Sequence, residues 1–139
     1  WEPLETPNIT YDWYRALLAA FPGRFRLLYA SSTHDYLLST FYNDMTNRIY
    51  KTNAGVRGAY YRQLKNMVRW LRELDPSFSF FINSWVNPLF TKAQVGTIHT
   101  AVRQPYFYVP WKNGATMASW LFDAVNGNTY DVGMDLLKQ

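Results

Sequence analysis

Residues 56–74 read VRGAYYRQLKNMVRWLREL, with Asp75-Pro76 directly after them. Tyr60, Tyr61, Leu64, Met67, Val68, Leu71 and Leu74 recur at spacings of three and four. That spacing gathers side chains on one face of an α-helix. A residue before proline is driven out of the helical region, so Asp75 closes the helix. A long helix with one apolar side needs a core to lie on, and this predicts a packed, mainly helical chain.

Working outward, the same helix carries charge of one sign. From Met45 to Arg72 there are seven basic residues (Arg48, Lys51, Arg57, Arg62, Lys65, Arg69 and Arg72) and no Asp or Glu. The whole chain holds 14 Lys+Arg against 10 Asp+Glu, so the positive charge is local. At ~100° per residue, Arg62, Lys65, Arg69 and Arg72 fall within an arc of about 80° beside the apolar face. Arg48, Lys51 and Arg57 extend this ridge. No cation on the helix has an acid four residues before it, the favourable pairing. A solvated face usually mixes both signs. An unmixed ridge points to a polyanion or an acidic partner. Arginine holds phosphate bidentately. Nothing in the ridge reads bases, so backbone contact without sequence preference is expected, duplex DNA being the natural ligand. The plainer alternative is a solvated face with basic residues near the helix C-terminus.

The remaining segments are shorter. Residues 1–9, with Trp1, Pro3 and Pro7, read as an extended arm. Thr10 suits an N-cap, and Trp13, Tyr14, Leu17, Leu18 and Phe21 mark a helix that Pro22-Gly23 stops. Residues 24–30 read as a link. Ser32 with Asp35 suits a capping pair, and Leu37, Leu38, Phe41, Tyr42, Met45 and Ile49 mark a helix to about Lys51. Phe78, Phe80 and Ile82 alternate as in a strand. Thr91 to Arg103 suits a helix weakened by Gly96. Prolines bracket Tyr106-Phe107-Tyr108-Val109, which predicts an extended aromatic segment running to Trp111. Asn113 or Gly114 opens a last helix through Met117, Trp120, Leu121, Phe122 and Val125, ended by Asn126-Gly127. One further helical turn fits the tail. The expected fold is mainly α: four to five helices in a small bundle over 10–139, with an extended arm over 1–9 and an aromatic-proline loop.

Candidate chemistry is sparse. The chain has no cysteine, which excludes disulfides, thiolate metal sites and Cys nucleophiles. His34 and His99 are the two histidines. Asp35 adjoins His34 in sequence, a poor geometry for orienting it, so a triad with Ser31 or Ser32 lacks support. No His-Glu-x-x-His motif or phosphate-cradling glycine loop is present. We therefore expect no enzyme activity, no metal, no cofactor and no small-molecule substrate. No apolar run reaches the length of a membrane span. Aromatics make up 19% of the residues, more than one small core readily encloses. Tyr106, Phe107, Tyr108 and Trp111, with the Trp1, Pro3 and Pro7 arm, are candidate subunit contacts; core filling and base stacking are the other uses.

These features are a short cysteine-free helical chain rich in Tyr, Tyr60-Tyr61-Arg62, the Lys65/Arg69/Arg72 ridge, an extended arm and an aromatic-proline segment. Together they resemble the major capsid proteins of filamentous archaeal viruses. The resemblance implies a virion protein that packs with other copies, or with a paralogous subunit, around double-stranded DNA. A non-enzymatic subunit of a tail, pilus or organelle complex binding an acidic protein is the alternative. A small intracellular DNA-binding regulator is a third, with 53–58 supplying the turn between two helices.

Overall fold

The computed structural model describes residues 5–103 and 105–138; Trp1 and Pro3 lie outside them. Helix α1 spans Ile9–Ala20. Its cap is Asn8 rather than Thr10, because the Asn8 side chain accepts from the Tyr11 N–H. Strand β1 (Leu28–Ser32) follows, so the expected link is partly a strand. Helix α2 (Tyr36–Asn47) is capped by Asp35 alone, whose carboxylate accepts from the Leu37 and Leu38 N–H groups. It ends earlier than expected, at Arg48, which takes a left-handed conformation. Helix α3 (Ala54–Leu74) is capped by Asn53 and closed at Asp75. Strand β2 is Ser79–Asn83. Three short helices complete the chain: α4 (Lys92–Val95), α5 (Met117–Val125) and α6 (Met134–Leu137).

The protein is mostly helical, but the expected simple bundle gives way to helices around a small parallel sheet. Strand β1 pairs with β2 from Leu28↔Ser79 to Ser32↔Asn83. On the other side of β2, Phe81 bridges Val132, also in parallel. All five residues of β2 are buried, as a parallel strand covered on both faces requires. Alternation then sorts them. Phe78, Phe80 and Ile82 join Leu64, Met67, Val68 and Leu71 of α3. Phe81 turns the other way, to Trp85, Met117, Trp120 and Val132. The amphipathic face legible in 56–74 is thus real, and its partner is a sheet. The Trp120 indole N–H donates to both the Ser79 hydroxyl and the Tyr130 carbonyl, so this large ring is buried with its polar atom satisfied.

Two further expectations change. The helix over 91–103 shrinks to α4 and a 3-10 turn at Ala101–Arg103. The reason is Gly96, which has a φ of 87° and accommodates a close backbone approach. The aromatic segment is not fully extended. Pro105–Phe107 forms a 3-10 turn, because a proline in the first turn needs no N–H donor there.

Candidate functional site at the carboxyl ends of the strands

Ligands of open parallel sheets gather outside the carboxyl ends of the strands. Here β1 runs through Thr33, His34 and Asp35 into α2. A second segment, 96–99, is laced to this turn. The Thr97 N–H donates to the His34 carbonyl at 2.9 Å, and the His34 N–H donates to the Thr97 hydroxyl at 3.0 Å. The Thr97 and Ser32 hydroxyls meet at 2.9 Å, and Ser32 donates to the Ile98 carbonyl at 2.6 Å. A Cβ on Gly96 would lie 2.3 Å from the His34 carbonyl oxygen and 2.6 Å from Arg57 Cδ. Only glycine lets these backbones close to this distance.

Two groups of functional side chains result. In the first, the buried Asp35 carboxylate contacts His99 Nδ1 at 2.9 and 3.2 Å. Burial raises the pKa of this carboxyl above its ordinary value; the α2 N–H groups and His99 offset part of the rise. In its neutral form His99 donates Nδ1–H to Asp35 and carries its lone pair on Nε2. Nε2 has no hydrogen-bond partner among the described residues. His99 borders two cavities, of about 530 Å³ and 220 Å³. No sequence signal announces this pair: the residues are 64 apart and neither lies in a motif. His99 is also outside any helix, contrary to its expected place in one over 91–103.

In the second group, the His34 ring packs on Tyr61, with centroids 4.6 Å apart. Lys65 Nζ lies 4.7 Å from the centroid of the same Tyr61 ring. Arg57 is buried, with one guanidinium nitrogen donating to the Ala93 carbonyl at 2.8 Å. Burial, then Lys92, Arg57 and Lys65, push the His34 imidazole down to about 4. Its Nδ1 is buried and meets no protein partner among the described residues. Ser31 and Ser32 do not approach His34 as nucleophiles: Ser31 pairs with the Tyr60 hydroxyl, and Ser32 is bound to Ile98 and Thr97.

The expected ridge divides. Arg62 and Arg69 are exposed on α3, two turns and about 10 Å apart along the axis. Arg48 and Lys51 are exposed beyond α2. Arg57 turns inward. Arg72 pairs with Asp131 at 2.5 Å and lies over Phe78 and Phe80, tying α3 to the last segment. The aromatic segment is largely core: Tyr106 and Trp111 pack on Trp85 at 5.4 and 5.2 Å, and the Tyr106 hydroxyl donates to the Val86 carbonyl. Phe107 is half-buried, and Tyr108 and Pro7 are exposed. No protein-family model, curated protein or solved structure matches this chain.

Proposed function

We propose that this protein binds a phosphate-sized anion beside His34. One observation carries the reading: the His34 ring, whose buried Nδ1 meets no protein partner among the described residues, stands in the positive field of Lys92, Arg57 and Lys65. Positive charge gathered beside a neutral ring favours an anion there. The partnerless buried Nδ1 of His34 supplies a ring nitrogen that an anion's proton or oxygen satisfies, depending on tautomer. The acid-free stretch is therefore used partly inward. The test is a nuclear magnetic resonance titration of the histidine side chains with inorganic phosphate at neutral pH. We expect saturable shifts at His34, a rise of its pKa on binding, and about tenfold weaker binding in Lys92→Ala, the loss of one charge-assisted hydrogen bond. Unchanged His34 signals at saturating phosphate would sink the reading.

A nucleic-acid coat built by self-association is the second reading, and two observations favour it. Arg62 and Arg69 stand in line with no acidic partner among the described residues. Trp13, Met45, Leu89, Tyr108, Phe122 and Val125 are all more than half exposed, which suits repeated subunit contacts. Its signature is steeply salt-dependent binding to duplex DNA.

A further inference from the structure

The larger of the two cavities beside His99 is an open cleft bordered by Tyr36, Pro88, Phe90, Pro105 and Tyr106, with 95–99 forming its other side. Its volume, about 530 Å³, lies within the ~300–1,000 Å³ of small-molecule sites and far beyond a packing gap. Part of the wall is tied in place by the fold. The 96–99 segment is laced to β1 through Thr97 and Ser32, and the Ile98 N–H donates to the Trp85 carbonyl at 2.8 Å. A complete capping box, Thr91 with Gln94, closes the start of α4, whose last residue, Val95, lines the cavity. Tyr106 is clamped by its stack on Trp85 and by its bond to Val86. Phe90 and Tyr36 nonetheless leave 49% and 45% of their surface open. Aromatic and proline walls favour flat apolar groups, and the clamped Tyr106 loses little conformational entropy when one binds.

One polar group on this wall is unspent. Asp35 fixes His99 through Nδ1, so the neutral ring offers Nε2 as an oriented acceptor. We infer that this cavity is a binding site for a small planar aromatic molecule carrying a hydroxyl or N–H donor, with the donor on His99 Nε2. The inference does not depend on the anion reading, which uses other side chains, those of His34, Lys92, Arg57 and Lys65.

The test uses p-cresol and toluene, alike in shape except for the hydroxyl, titrated against the full chain at mildly alkaline pH. Resonances of His99, Phe90 and Tyr106 report the binding. We expect both compounds to shift Phe90 and Tyr106, with p-cresol about fivefold tighter, the margin of one net hydrogen bond. His99→Leu should keep toluene binding and abolish the preference. Phe90→Asp, at a half-exposed side chain where folding is not at stake, should weaken both. The inference is overturned by non-saturable shifts with both compounds, by equal affinities in the native chain, by a preference that survives His99→Leu, or by unchanged binding in Phe90→Asp.

Discussion

His34 shows how one residue's chemistry follows from its neighbours. Its folded pKa, about 4, lies below the ordinary 6.5 because the ring is half-buried among cations. The unfolded chain therefore takes up the proton first as pH falls. Stability from this group is complete above about pH 6.5 and is lost progressively toward pH 4. With solvent screening discounted, the loss should be of order 1–2 kcal/mol. Asp35 acts in the opposite sense: its raised carboxyl disfavours the ionised form in the fold, so protonating it relieves that burden. Urea unfolding at neutral pH and near pH 4.5, on the native chain and His34→Gln, separates the two. The variant should lose less stability on acidification; parallel losses would show that His34 is not the source. Added phosphate should shrink the acid limb of the native chain alone.

At the scale of elements, β2 is the piece on which the fold rests. Its side chains alternate between α3 and α5, and Phe81, fully buried, stands against Trp85 and Trp120 at 5.9 and 5.8 Å. Phe81→Ala leaves a cavity between three large rings and should cost about 3–5 kcal/mol. Phe122→Ala on α5 removes a ring that is 69% exposed and should change stability by less than about 0.5 kcal/mol. Chemical denaturation of the two variants checks this directly; similar losses would mean that α5 packs with its other face inward. Helix α3, the stop at Asp75 and the body of the last strong helix were legible, since periodicity is local; the helix starts were less so, because Asp35 without Ser32 caps α2 and Thr116, not Asn113 or Gly114, caps α5. Strand β1 was not. Leu28–Ser32 is too short and too weakly alternating to announce itself, and it becomes a strand only by pairing with β2.

At the scale of the molecule, the basic stretch has two outlets. Arg57 is committed inward, Arg72 to Asp131, and the half-buried Lys65 lies over Tyr61, which leaves Arg48, Lys51, Arg62 and Arg69 as the exposed cations of the seven. For four phosphate contacts, log affinity for duplex DNA against log salt should fall with a slope of roughly −3.6, the value set by counterion release. An Arg62→Ala/Arg69→Ala variant should flatten that slope by about half. A salt-independent interaction, or a slope unchanged in the variant, would rule out the coat and leave the proposed anion site at His34 as the reading of this charge.

What the sequence by itself determined is therefore local: the amphipathic face of α3, the helix stops at prolines and glycines, and the one-signed charge from Met45 to Arg72. Each depends on residues a few positions apart, where covalent geometry fixes who meets whom. Tertiary structure alone decided that the helices flank a parallel sheet, that Arg57 is buried and Arg72 pairs with Asp131, and that Asp35 meets His99. Those pairings join residues tens of positions apart. They are selected by which buried surfaces and polar groups satisfy one another when the chain closes, a condition that no local pattern encodes.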